Sequence, residues 1–219
     1  SNLAEDSRFN GEIIGMDADN GLAGTVIEGV LVKDMSASRL GSRAKEPAMA
    51  TLVDDLVGSD DRVIVAISPV ENPYTRAESV DTVTGRGVVV AKVQVPRATF
   101  TTDAKGVVRF AVGQADDGFS KLYYRSSGEA EWQLVNDEKS SGRVEKAIGF
   151  SADNAVAYLH VEMDAGPDAI VAFDAAGSAL GFACYGVESL TQDTWDLFWI
   201  CVRPEARGKG AGRALMNTV

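Results

Sequence analysis

The chain reads as a mainly β protein of antiparallel blades that ends in a short α/β strand–loop–helix segment. Three observations say so. Most of its 219 residues fall into short apolar stretches bounded by Asp, Gly, Asn, Ser and Pro, the punctuation of strands and turns. Two of those stretches, "FTTDAKGVVRFAV" and "FSADNAVAYLHVE", begin with the same Phe-x-x-Asp phrase, so that Phe100 and Asp103 precede Phe150 and Asp153 by fifty positions. The last residues change character and run apolar strand, glycine turn, helix.

Taken in order, "GMDADNG" near the start invites a calcium reading with Asp17, Asp19 and Glu28. The register excludes it, because the sharp turn of such a loop needs glycine at its sixth position and Leu22 stands there, one after Gly21. "PAMATLVDDLV" sets Met49, Leu52, Val53 and Leu56 at i, i+3, i+4 and i+7 behind Pro47; this predicts a helix with an apolar stripe. Strands are expected at "DRVIVAIS", "GVVVAKVQV", "GVVRFAVG", "SKLYYR", "EWQLV", "AVAYLHVEM" and "AIVAFDA". In "AYLHVEM", Tyr158, His160 and Glu162 face one way while Leu159, Val161 and Met163 face the other. A repeat of roughly 50 residues is the length of one four-stranded propeller blade, which makes the first part of the chain a set of partial β-propeller-like antiparallel blades.

Composition excludes several functions. A formal net charge of -11 disfavours nucleic acid, because phosphate backbones are bound by clustered Lys and Arg. The two cysteines, Cys184 and Cys201, lack CxxC spacing and neighbouring histidines, so neither zinc nor a disulfide framework is expected and both are read as buried thiols. No apolar run approaches the ~20 residues that cross a bilayer, so no membrane partner is expected and a cytoplasmic location is.

"EPAMATLVDD", "NPYTRAESVDTVTGR", "SKLYYR", "WQLVNDE", "SGRVEKAIGF" and "GPDAIVAFDA" follow one another in an order that resembles the β-propeller domain of prolyl oligopeptidase family serine peptidases, over roughly residues 10 to 175. In that family the propeller filters access to a separate hydrolase domain. This chain departs from the family there: it has no G-x-S-x-G elbow, and its one histidine, His160, stands mid-strand. A triad needs a histidine free to reach a nucleophile, so the resemblance implies a non-catalytic, substrate-gating piece and no hydrolysis.

In the tail, "TWDLFWICV" is apolar on both faces and is expected to be central in a covered sheet. Pro204 ends it, three glycines follow, and Ala211, Ala214, Leu215 and Thr218 keep helical spacing. Strand, glycine turn and helix form an anion cradle, since backbone N–H groups and the helix dipole converge on phosphate oxygens. A Walker loop is excluded for want of Gly-Lys-Ser/Thr, and a Rossmann fingerprint because Leu215 stands where a glycine is needed. What matches is the R/Q-x-x-G-x-G/A signature of the GNAT superfamily of N-acetyltransferases, met by Arg207, Gly210 and Gly212 after a V-x-P. With the preceding hairpin "AIVAFDAAGSALGFACYG", that resemblance spans roughly residues 168 to 219.

The GNAT resemblance implies acetyl-CoA as cofactor. Amides from Arg207 through Gly208, Lys209, Gly210 and Ala211 to Gly212 would hold its pyrophosphate, with Lys209 and Arg213 adding charge. The thioester would lie along Leu197 to Val202, and Asp196 or Glu188 would serve as base; both also fit plain solvated carboxylates. The acceptor would be a small-molecule or peptide amine. An edge left open beside Leu197 would favour self-association. The domains expected are residues 1–170, propeller-like, and residues 171–219, an incomplete GNAT-like segment. An N-acyltransferase and a non-catalytic propeller piece are thus the two functions that the sequence supports.

Overall fold

A computed structural model of the protein describes residues 48–59, 61–83, 85–163, 166–175, 177–187, 194–208 and 210–218, and the backbone of residues 13–16 and 23–28. The calcium-like residues Asp17, Asp19, Gly21 and Leu22 lie outside the described residues. The chain divides into two compact units, Ser1–Phe100 and Thr101–Val219. Among the described residues no helix is long and apolar enough to cross a membrane.

In the first unit β1 (Ile13–Met16) pairs antiparallel with β2 (Ala23–Glu28). A four-stranded antiparallel sheet follows, with β3 (Ala48–Asp54), β4 (Arg62–Pro69), β5 (Arg76–Asp81) and β6 (Gly87–Lys92) side by side in chain order. Here the helix expected over residues 47–57 is overturned. Its apolar residues also fit a period of two, and pairing with β4 decides between the periods, because tertiary context overrides helix propensity. Ala48 and Ala50 point inward beside Val65 and Ile67, and Val80 completes that core. Met49 and Leu52, the supposed helix stripe, are exposed. Leu56 takes a left-handed φ of 52° in the turn that leads to β4, where its N–H donates to Asp54 Oδ1 at 2.7 Å.

Two further sheets follow along the chain. β7 (Thr99–Thr102), β8 (Val108–Gln114), β9 (Ser120–Tyr124) and β10 (Gln133–Asp137) again lie in chain order. A single helical turn, α1 (Glu138–Ser141), is capped by Asp137, which accepts from the Lys139 N–H, and stopped by Gly142 at φ 66°. Then β11 (Arg143–Phe150), β12 (Val156–Met163), β13 (Asp168–Asp174), β14 (Ala179–Val187) and β15 (Trp195–Val202) make one five-stranded antiparallel sheet. It runs across residue 170 without interruption. The chain closes on α2 (Ala211–Thr218).

The repeated Phe-x-x-Asp phrases occupy equivalent places, each leading from the first strand of a sheet into the second. Asp103 Oδ1 accepts from the N–H groups of Lys105 (2.9 Å) and Val107 (3.1 Å) in the turn from β7 to β8. Asp153 Oδ1 accepts from the Ala155 N–H (3.0 Å) and the Ser151 hydroxyl (2.6 Å) in the turn from β11 to β12. An Asp whose carboxylate closes its own turn is the mechanism behind such phrases. The strands β5 and β11 escaped the sequence reading because Arg76, Glu78, Arg143 and Glu145 look like loop residues. Each pair forms an ion pair along its strand, Arg76 with Glu78 (2.6 Å) and Arg143 with Glu145 (2.7 Å), which lets both glutamates be buried.

Candidate functional site

β14 and β15 pair antiparallel from Gly181↔Val202 to Val187↔Trp195. The register skips Phe198: Cys184 faces Trp199 and Tyr185 faces Leu197. That is a β-bulge, which leaves one residue outside the regular ladder and re-aims the side chains beyond it. Before the bulge Val202 and Ile200 share a face with Gly181 and Ala183; beyond it Leu197 and Trp195 share the face of Tyr185. Phe198 turns the other way and lies over Gly186, where an added Cβ would come 2.9 Å from its ring.

α2 sits on the face of Gly181 and Val202. Leu215 is 0% exposed and packs with Tyr158, Ile170, Ala172 and Ala183. The approach is close: a Cβ on Gly181 would stand 2.5 Å from the Cys201 carbonyl oxygen and 3.3 Å from Leu215 Cδ1. A Cβ on Gly212 would meet Val202 Cγ2 at 3.4 Å.

Between strand and helix, the Arg203 N–H donates to the Leu180 carbonyl at 2.9 Å and Pro204–Ala206 form a 3₁₀ turn. The Arg207 N–H is used within the loop, donating to the Pro204 carbonyl at 3.2 Å, so that this amide of the expected cradle is spent internally. Gly208 and Gly210 have φ of 74° and 86°, left-handed values that favour glycine. The Gly210 carbonyl accepts from the Ala214 N–H at 2.9 Å. The amides of Ala211, Gly212 and Arg213 therefore occupy the first helical turn, where no intrahelical acceptor exists. Arg207 and Arg213 are exposed and Ala211 is buried. Lys209 and Glu188 lie outside the described residues.

Asp196 is half-buried at the opposite end of β15 from Val202, paired in register with Gly186. They stand six positions apart, about 20 Å of strand. Two expectations for this strand are corrected. β15 is an edge, with β14 on one side and no strand on the other among the described residues; Trp199 is 72% exposed, and Phe198 and Ile200 are exposed too. Apolar character on both faces does not encode a second neighbour. Cys201, expected to be buried, is therefore exposed, while Cys184 is half-buried; both thiols are free.

Sequence reasoning missed a polar cluster on the α2 face of the same sheet. His160 on β12 points Nδ1 toward Glu162 Oε1 (3.4 Å) and Nε2 toward Asp168 Oδ2 (3.3 Å). Lys146 Nζ donates to Glu162 Oε1 at 2.6 Å. The His160 ring stacks on Tyr185 at 6.2 Å, and Tyr185 meets Trp195 at 5.8 Å. Lys146 holds the Glu162 carboxyl below the ordinary carboxylate range, with His160 adding to the effect. Burial pushes the Tyr185 phenol up, helped by the charges of Asp168 and Glu162. The signal was present in part, since Tyr158, His160 and Glu162 alternate onto one face, but Asp168, Tyr185 and Trp195 join them only through cross-strand register. No group of three or more His, Cys, Asp or Glu among the described residues could hold a metal ion.

Comparison with known proteins bears on this end of the chain. No curated protein matches it. One solved structure, TolB from Acinetobacter baumannii, is similar at 12% identity and a TM-score of 0.48, over 85% of this chain and 45% of that one; this chain spans under half of its length. A family model described as the acetyltransferase (GNAT) family matches residues 132–219. The matched stretch opens at Trp132, before β10, and takes in the five-stranded sheet, the glycine loop and α2. The C-terminal part of the chain is thus similar to the GNAT acetyltransferases.

Proposed function

We propose that the C-terminal part binds acetyl-CoA and acetylates an amine. The observation that carries this is the first turn of α2: three consecutive amides, Ala211 to Arg213, without intrahelical acceptors, behind left-handed Gly208 and Gly210, inside the stretch similar to GNAT acetyltransferases. The residues fit a diphosphate, since no side chain stands at Gly208 or Gly210 and an added Cβ there would meet nothing within 4 Å. The helix dipole and the exposed Arg207 and Arg213 favour an anion at this place.

Acetyl-CoA, when bound, supplies an activated acyl thioester. The chain's own contributions are separate. The amides of the first turn and the two arginines bind; the bulge at Phe198 frees a main-chain group from the β14–β15 ladder to orient a carbonyl oxygen; Asp196 accepts the proton that the attacking amine sheds. Asp168, Tyr185 and Trp195 give the same sheet a carboxylate and aromatic rings suited to an ammonium-bearing acceptor. The reading sets the chain in the cytoplasm, where free Cys184 and Cys201 are the ordinary state. It also makes the open edge of β15 a site of self-pairing, which Trp199→Lys should abolish in sedimentation velocity.

Calorimetry with CoA is the test. Saturable binding weakened at least about tenfold by Gly210→Asp is expected, because a carboxylate and a strained φ then occupy the cradle. Absence of heat at millimolar CoA, or binding indifferent to Gly210→Asp, removes the proposal.

A second reading concerns residues 1–170, within which two four-stranded sheets each place their strands in chain order, the layout of propeller blades. We propose that this region is a non-catalytic, propeller-like gate of the kind found in prolyl oligopeptidase family peptidases. The chain should then neither cleave proline-containing chromogenic peptides nor be labelled by a fluorophosphonate; labelling of any serine would refute it.

A further inference from the structure

The second unit carries a partly open cavity of about 270 Å³ between strands β8–β10 and the face of β11–β13 opposite to α2. Leu159 and Ala157 of β12 line it, while Tyr158 and His160 of the same strand face the other way, so this cavity is separate from the glycine loop and from the histidine cluster. Its walls are aromatic: Phe110 on β8, Tyr124 on β9, Phe150 at the end of β11 and Phe173 on β13.

Those walls are held in place from behind. The Arg109 guanidinium lies 5.3 Å from the Tyr124 ring centroid and 5.4 Å from that of Phe150. It is itself fixed by Asp103 Oδ2 (2.8 Å), the Tyr124 hydroxyl (2.6 Å) and the Arg125 carbonyl (2.8 Å). Phe110 leans on both rings at 4.9 and 5.5 Å. A guanidinium bound on three sides cannot follow a collapsing ring, so the space stays open instead of closing as ordinary core gaps do.

One wall is polar. Glu145 lines the cavity and is 6% exposed. Arg143 Nε donates to its Oε1 at 2.7 Å, and no hydrogen bond reaches Oε2 from the described residues. That oxygen is open to the cavity and not sealed away, since the fully buried side-chain polar atom without a hydrogen-bond partner among the described residues is His160 Nε2. Because Arg143 already balances the charge, what the carboxylate offers a ligand in the cavity is a hydrogen-bond acceptor.

We infer that this cavity is a binding site for a planar bicyclic heteroaromatic carrying a ring N–H, stacked among Phe110, Tyr124, Phe150 and Phe173 with its N–H donating to Glu145. Size supports the class, since a cavity of about 150 Å³ already holds benzene and this one is nearly twice that. The site does not depend on acetyl transfer and stands or falls separately from it.

The test uses the full chain and two probes of equal shape, indole and benzothiophene, the second lacking the N–H. Indole is expected to bind one to one with a Kd of about 1 mM or tighter, and benzothiophene roughly fivefold more weakly. Glu145→Leu should erase that difference. Ala155→Trp, a substitution at an exposed turn position on the cavity rim, should abolish both. Intermolecular NOEs from indole to the Leu159 methyls would locate the ligand in the unaltered chain. Absence of saturable indole binding, equal affinity for the two probes, NOEs confined elsewhere, or binding untouched in a folded Ala155→Trp chain each overturns the inference.

Discussion

Replacing Leu215 by alanine isolates what holds α2 to its sheet. The helix has eight residues, about two turns, and helices of this length are marginal in water on their own. Among its described side chains two are buried, Ala211 and Leu215, and Leu215 alone is fully so. The leucine fills the space between Ala172, Ala183 and Tyr158, whose small neighbours cannot relax into a vacated site. Loss of the buried methyl groups plus the residual cavity puts the cost at about 2–5 kcal/mol. Because the helix has little stability apart from this contact, the cost should appear first as undocking of α2 and only partly as global unfolding. Amide exchange at Ala214 to Met216 should accelerate by about 30-fold or more, since each 1.4 kcal/mol is a factor of ten, while β8 and β9 keep their protection. CoA binding should weaken in parallel, because the first-turn amides lose their fixed direction. Exchange within about threefold of the unaltered protein would refute the claim that this one side chain anchors the loop.

Arg125 is buried, donates from Nε to the Val108 carbonyl (2.8 Å) and from Nη1 to the Gly128 carbonyl (2.6 Å), and stacks 4.7 Å from the Trp132 centroid. Arg125→Met strands both carbonyls and should lower the urea midpoint by the equivalent of about 3 kcal/mol; a loss below about 1 kcal/mol would show that water replaces the guanidinium there. The Glu162 carboxyl, held low by Lys146, stabilises the fold above the ordinary carboxylate range and ceases to do so as pH falls through its depressed folded value. The stability difference between the unaltered chain and Glu162→Gln should therefore shrink on acidification from pH 7 toward 3, and a difference constant across that range would contradict the assignment. Iodoacetamide under native conditions should modify exposed Cys201 well before Cys184, whose thiol is pushed up by burial; equal rates in a peptide map would mean that the β14–β15 pairing is wrong.

The glycine loop was legible because its requirements are local. Left-handed φ at Gly208 and Gly210 needs no distant partner, and the run from Pro204 to Leu215 carries its own stop, turn and start. The histidine cluster was not legible in full, because Asp168 reaches His160 through the pairing of β12 with β13, and Tyr185 and Trp195 through β14 and β15. Arg143 and Glu145, absent from the strands expected from the sequence, form a strand and the polar wall of a cavity for the same reason, through the pairing of β11 with β12.

By itself the sequence determined that this chain is mainly β, that its Phe-x-x-Asp phrases open equivalent hairpins, and that it ends in a strand, glycine turn and helix. Those properties rest on backbone preferences and turn chemistry that each residue carries with it. Tertiary structure alone decided that residues 48–54 extend and do not coil, and that β15 is an edge. It alone brought His160, Asp168 and Tyr185 together. In each of these the sequence pattern fits two outcomes, and the choice belongs to the neighbour that supplies the hydrogen bonds and the packing.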